Sequence, residues 1–145
     1  MPGSRIEQDV IEAKILECQE LYKIQSIAYD PWNCEALRQN LNHHNIEMVE
    51  FTQNLRNFTE PMKEYLAMVG TGGIRHGGNK VLRWMASNLV AYQDASGNIR
   101  PDKKSSTDKI DGQVAAIMAV GLGVLAEEQG SVYEREDRGF IKLGL

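Results

Sequence analysis

Two aspartates stand where a carboxylate could do chemistry. Asp30 closes a short β-prone run, Ile24 to Tyr29, and precedes Pro31 and Trp32. The carboxyl end of a strand in an open parallel sheet is where ligands bind. Pro31 fixes the turn that follows, and Trp32 can wall a site there. The plainer alternative is a turn aspartate before proline. Asp111 falls on a helical pattern whose apolar positions are Ile110, Val114, Ile117, Met118, Leu122 and Leu125. At about 100° per residue it lies within roughly 50° of the centre of that face, so it is expected to point inward. A buried unpaired carboxylate is costly, and a metal ion would compensate it. The first helical turn also favours an anion, and Gly112 permits close approach. The alternative is a helix-start aspartate bonded to backbone.

One carboxylate at a strand end and one at a helix start offer hard oxygen ligands to a divalent cation. Two such ions about 4 Å apart can activate water and stabilise a leaving oxygen in phosphodiester hydrolysis. Sites of this kind use a third carboxylate, and the chain offers no obvious one. Asp9, Glu12 and Glu17 read as solvated faces of a helix. The stretch 72–80 (GGIRHGGNK) could cradle phosphate through backbone N–H groups, with Arg75, His76 and Lys80 adding charge. It is no Walker A loop, so ATP hydrolysis is not expected. His76 reads as a phosphate-contacting loop residue rather than a metal ligand, and His43 and His44 sit near a helix end.

The elements that must position these residues follow from periodicity. Ile6, Val10, Ile11, Ile15, Leu16, Leu21 and Tyr22 predict an amphipathic helix over about residues 5–22. A strand over 24–29, a helix capped by Asn33 and running to about Asn42, and a strand over 46–51 make a right-handed βαβ unit with parallel strands. Residues 52–60 read as loop, and Glu60 to Val69 as a short helix ended by Gly70, Gly72 and Gly73. Lys80 to Ser87 is helical. Leu89 to Asp94 and Ile99 to Arg100 flank a glycine-containing turn and predict a hairpin. Ser105, Ser106 and Thr107 are expected to cap a last helix over about 108–127. The main body is thus 1–127, with a charged, aperiodic tail over 128–145. Met1 to Arg5 could be a native start or a cloning remnant.

The 145 residues suffice for one core, and 42% hydrophobic with 25% charged residues is ordinary for a soluble protein. No apolar run is long enough to span a membrane. Cys18 and Cys34 read as free thiols of a reducing cytosol. The net charge of −4 argues against a general polyanion binder. Its distribution does not: residues 1–70 carry 6 Lys+Arg against 11 Asp+Glu, residues 71–110 carry 7 against 3, and residues 111–145 carry 3 against 6. A basic middle segment could face DNA. Its candidates are Arg75, His76, Lys80, Arg83, Lys103, Lys104 and Lys109.

Specific words in the sequence go further. IAYDPWNCEAL (27–37), PMKEYLAMV (61–69), RHGGNKVLRWMASNLV (75–90), DASGNIRPDKKSSTDKIDGQVAAIMAVG (94–121) and VYE (132–134) occur in the order found in phage large terminase subunits, which the chain resembles. The resemblance covers about residues 6–134. It implies an α/β, RNase H-like nuclease fold with the βαβ unit, the hairpin and the C-terminal helix. It further implies a two-metal endonuclease using Mg²⁺ or Mn²⁺ that cuts concatemeric double-stranded DNA during genome packaging. Asp30 in YDPW looks like the family's second acidic residue and Asp111 in KIDG like its third. Lys80 stands where the family usually has proline after HGGN.

The family's first acidic residue belongs to an earlier strand, so the fold is expected to be incomplete, with its first strands absent, and the metal site with it. The implied partners are double-stranded DNA, the rest of the large terminase (its ATPase and upstream nuclease strands), the small subunit and the portal. The implied setting is the host bacterial cytoplasm, without a membrane. Self-association through an unpaired strand edge is also expected. The competing readings are an inactive prophage remnant and a DNA- or partner-binding α/β domain.

Overall fold

The computed structural model describes residues 7–32 and 34–137, with side chains to residue 128. The expected cap at Asn33, the start of the first helix at residue 5 and the chain beyond 137 lie outside the described residues. The chain divides into two compact units at Gln53 and Asn54.

In the first unit, α1 (Gln8–Leu21) leads to β1 (Ser26–Tyr29), α2 (Glu35–His43) and β2 (Glu47–Glu50). The strands pair in parallel with Ser26 opposite Glu47 and Tyr29 opposite Glu50, as the βαβ reading expected. The Phe51 N–H extends the ladder by donating to the Tyr29 carbonyl at 2.8 Å. Leu37, Leu41 and Ile46 form the buried centre, and Ile15, Leu16, Ile24, Ile27 and Met48 pack around it. Asn45 takes a left-handed conformation (φ 59°) that turns the chain from α2 into β2. Glu35 opens α2 and takes hydrogen bonds from Arg38 and Gln39, which hold its carboxyl down at about 2. Only half of the apolar face of α1 is used. Val10, Ile11, Leu21 and Tyr22 stay exposed.

The second unit begins with α3 (Leu55–Thr71), followed by α4 (Lys80–Asn88), the antiparallel hairpin β3 (Ala91–Gln93) and β4 (Ile99–Pro101), and α5 (Asp111–Asp137). The expected loop over 52–60 is mostly helix. Asn54 caps it by accepting from the Asn57 N–H at 2.8 Å, and Phe58, Thr59, Met62 and Tyr65 bury one face. Pro61 therefore lies inside the helix rather than at its start. The burial on that face compensates a residue that costs a helix interior about 3 kcal/mol. At the other end Gly72 (φ 71°) turns left-handed, and the Gly73 and Gly72 N–H groups return to the carbonyls of Met68 and Val69.

The helix at the C-terminal end also differs from expectation. Ser105, Ser106 and Thr107 do not serve as its cap, because their hydroxyls bond to Asp102 and Asn88. α5 starts later, at Asp111, and continues past 127 to Asp137. The stretch beyond Gly130 is rich in Glu and Arg, which favour helix, and holds no proline.

The start of α5 is fixed from inside. Gln113 is 2% exposed. Its Oε1 accepts from the Tyr65 hydroxyl of α3, and its Nε2 donates to the Leu82 carbonyl of α4 at 2.8 Å. Burial pushes the Tyr65 phenol up, partly countered by that hydrogen bond. Gly112 lets α4 approach, since a Cβ there would stand 2.9 Å from the Met85 sulfur and 3.3 Å from a Leu82 methyl. Replacing Gln113 by Met should leave the buried Tyr65 hydroxyl without its partner, at a cost of about 1–3 kcal/mol. Adding Tyr65→Phe to that variant should cost less than Tyr65→Phe alone. Urea unfolding of the four-member cycle checks this, and strict additivity would show that the pair is uncoupled.

Candidate functional site

Asp30 leaves the carboxyl end of β1 half-buried. Its Oδ1 accepts from the Trp32 N–H at 3.0 Å, closing a tight Asx turn around Pro31. The turn-aspartate reading is thus realised, at the sheet edge where a ligand would bind. Trp32 is thrown outward and is 87% exposed.

Asp111 departs from its expected orientation. Its side chain is 67% exposed, and Lys103 Nζ lies 3.5 Å from its Oδ1. The inward placement counts Leu122 and Leu125 on the buried face, but Leu122 is only half-buried and Leu125 is exposed. Taken from the residues that α5 actually buries, Gln113, Val114, Ile117, Met118 and Gly121, Asp111 lies roughly 90° from the centre of the face. Gly112, too, makes room for α4 side chains rather than for a ligand.

Asp111 forms one wall of an open cleft of about 270 Å³ with Lys103, Ser106, Asp108, Lys109 and Ile110. The cleft is organised by Asp102, which sequence reading passed over. Its Oδ1 accepts from the Lys104 and Ser105 N–H groups, and its Oδ2 from the Ser105 hydroxyl at 2.8 Å. The Ser106 N–H and hydroxyl both donate to the Asp102 carbonyl. The signal was present as an aspartate followed three residues later by serine, the pattern of a side-chain-closed turn. The Ser105 hydroxyl first, then backbone N–H groups and Arg100, hold the Asp102 carboxyl below its ordinary 3.8.

Of the seven basic candidates, all are exposed. Lys103 and Lys109 join Asp111 in the cleft, and Lys104 sits on the same turn. Arg75, His76, Lys80 and Arg83 do not line it. Arg75 and His76 lie in the loop before α4, where Gly77 and Gly78 take positive φ and Asn79 caps the helix by accepting from the Leu82 N–H at 2.9 Å. Lys80 and Arg83 lie on α4 itself. Both cysteines are free. Among the described residues, no three His, Cys, Asp or Glu side chains gather into a group that could hold a metal, and no helix is long and apolar enough to cross a membrane.

The model of the terminase large subunit endonuclease domain matches residues 3–127. The chain belongs to that family. The Enterobacteria phage HK97 terminase large subunit is 31% identical over 133 residues, which are 89% of this chain and 26% of the relative. Protein YmfN of Escherichia coli strain K12 is 30% identical over 138 residues, 93% of this chain and 29% of that protein. The crystal structure of the HK97 large terminase superposes with a TM-score of 0.76 at 31% identity, covering 84% of this chain and 26% of that one. The fold is therefore that of the terminase nuclease domain, with only a few strands, consistent with an incomplete RNase H-like fold. This terminase segment spans less than a third of the length of the curated relatives it matches.

The Asp102 turn makes a pH prediction. A carboxyl whose pKa is lower in the folded state stabilises that state above its unfolded value, and the contribution is lost as pH falls through the folded value. Asp102→Asn should therefore melt below the parent at pH 7, and the gap should close as the pH is lowered beneath 3.8. Thermal melts across that range check it. A gap that persists undiminished into strong acid would show that the carboxylate charge is not what holds the turn.

Proposed function

We propose that this chain supplies Asp30 and Asp111 to the metal site of a phage large terminase nuclease, which cuts concatemeric double-stranded DNA during genome packaging. The observation that carries this reading is the family match across residues 3–127, within which both aspartates stand at element ends suited to ligand binding. Carboxylate oxygens suit Mg²⁺ or Mn²⁺ in kind. In number the described side chains fall short of a three-ligand group. We infer that the remaining acid belongs to a preceding strand of a longer terminase or to a companion polypeptide. When bound, such ions supply an activated water and charge stabilisation at the leaving oxygen.

The roles of this chain's own residues follow. Asp30 and Asp111 hold cations through oxygen atoms. Lys103, Lys104 and Lys109 meet the DNA backbone beside Asp111, and Arg75, His76, Lys80 and Arg83 meet it from the loop before α4 and from α4 itself. Phosphate contacts of this kind set position and salt dependence, not sequence. An enzyme that cuts concatemers would act in the host bacterial cytoplasm, together with the ATPase portion, the small subunit and the portal.

Millimolar Mn²⁺ should raise the melting temperature. Metal at about 100 times Kd adds roughly 2.7 kcal/mol if it binds only the folded state. The shift should vanish in an Asp30→Asn, Asp111→Asn double variant. An equal shift in that variant would remove the two aspartates as ligands and leave an inactive DNA- or partner-binding domain as the better reading.

A second expectation concerns the sheet. Among the described residues β1 pairs with β2 alone, and α1 exposes Val10, Ile11 and Leu21, with Tyr22 exposed just after it. The chain by itself should self-associate and nick plasmid poorly. Adding the upstream terminase segment should yield a monomer with Mn²⁺-dependent nicking. A stable monomer that cuts efficiently alone, and loses activity on Asp111→Asn, would mean that the third ligand is internal.

A further inference from the structure

We propose that the outer face of α4 is a stacking platform for unpaired nucleotides, with Trp84 as the platform and Lys80 and Arg83 as phosphate clamps. This rests on the proposed meeting of Lys80 and Arg83 with the DNA backbone, and it names the kind of strand they hold.

α4 packs into its unit through Leu82, Met85 and Asn88. The Gly112 N–H donates to the Met85 sulfur at 3.2 Å, and the Asn88 amide donates to the Lys109 carbonyl at 3.2 Å. At about 100° per residue, Lys80, Arg83, Trp84 and Ser87 fall within roughly 100° of one another on the opposite side. All four are exposed. The Trp84 indole is 45% exposed, and Val81, one turn before it, is exposed as well. The Asn79 cap and the buried Asn88 hold the two ends of the helix, so the ring stands on an ordered support.

Tryptophan held partly in water on an ordered helix suits a contact surface, where the flat ring meets a partner. The surrounding charge decides which partner. No Asp or Glu occurs between Glu64 and Asp94 in a chain that has 20 of them, whereas Arg75, Lys80 and Arg83 all fall in that stretch. Among the described residues none of these three pairs with a carboxylate, and the Trp84 indole N–H has no hydrogen-bond partner.

A ligand that satisfies both the ring and the cations carries flat apolar faces beside negative charge, which is the chemistry of a nucleotide strand. In a duplex the faces of each base are covered by their neighbours. Its phosphates could reach Lys80 and Arg83, but the ring would find nothing to stack on. In an unpaired strand the faces are open. Trp84 then stacks on one base, while Lys80, one turn earlier, and Arg83, beside it, take the flanking phosphates. Such stacking adds affinity without reading sequence.

The test uses the full chain in EDTA, so that metal does not enter. A Trp32→Phe background leaves Trp84 as the sole tryptophan. Its emission should be quenched by oligothymidylate and unchanged by a blunt duplex. By fluorescence anisotropy, Trp84→Ala should weaken oligothymidylate binding about five- to hundredfold, the loss expected for one stacked base, and change duplex affinity less than about twofold. Trp84→Phe should recover most of that loss. Lys80→Gln and Arg83→Gln should each weaken both ligands and lower the salt dependence by about one counterion. Circular dichroism confirms folding of each variant.

If Trp84→Ala binds oligothymidylate as the parent does, while Lys80→Gln and Arg83→Gln still weaken duplex binding, the platform is overturned and α4 remains a duplex-facing surface. If neither ligand responds to Lys80→Gln or Arg83→Gln, the platform and the proposed DNA contacts of α4 fail together. Quenching of Trp84 by polyglutamate or by phosphatidylglycerol vesicles, with none by oligothymidylate, would overturn the platform and assign the face to an acidic protein or a lipid surface.

Discussion

Gln113 takes both ends of its amide into a place that water scarcely reaches, and both ends find partners. The Tyr65 hydroxyl donates to its oxygen, and its nitrogen donates to the Leu82 carbonyl. A buried amide left half satisfied costs more than a satisfied one contributes, so this arrangement tolerates little displacement. Three helices meet on one side chain as a result. Gly112 sets the spacing, because only a residue without Cβ admits the Met85 sulfur and the Leu82 methyl so closely. Asp111 precedes this pair directly. Its position is inherited from a polar seam in the core, while its own carboxylate remains exposed to solvent.

The hairpin and its following turn serve the same corner from the other side. Thr59 of α3 accepts from the Ile99 N–H at 3.2 Å, and Arg100 lies over the Tyr92 ring at 5.2 Å. Asp94 closes the hairpin by accepting from the N–H groups of Ser96 and Asn98, with Gly97 at φ +82°. Asp102 then closes the next turn. Two side-chain-organised turns thus deliver Lys103 to the start of α5 without any long element. Loops built on local hydrogen bonds of this kind are stiff enough to place a functional residue, yet they leave its side chain mobile.

Much of this was legible because the signals were local. Two short β-prone runs, IQSIAY and IEMVEF, separated by a helix-length stretch, pointed to parallel neighbours, and β1 and β2 do pair in parallel. Glycines after Val69 marked the end of α3, and the ASGN turn marked the hairpin. Where reading failed, a nonlocal partner decided. The helix was expected only from Glu60, but the buried face of Phe58 and Met62 extends it back to the Asn54 cap. Ser105 to Thr107 looked like caps because they precede an apolar helix, but Asp102 and Asn88 compete for their hydroxyls. Gln113 reads as an ordinary polar position in any single-chain pattern. Only the arrival of Tyr65 from 48 positions away makes it a core residue.

Asp111 illustrates the same limit in the candidate site. Its expected inward orientation is not observed, because the expected face includes Leu122 and Leu125 whereas α5 buries Gln113 and Gly121. The error matters chemically. A carboxylate enclosed by the core would need its cation permanently, as part of folding. A carboxylate at an exposed helix start stays solvated and needs no permanent cation, and its pairing with Lys103 is weak. Gln113 and Gly112 fix the backbone beside Asp111, and the Asp102 turn fixes it beside Lys103.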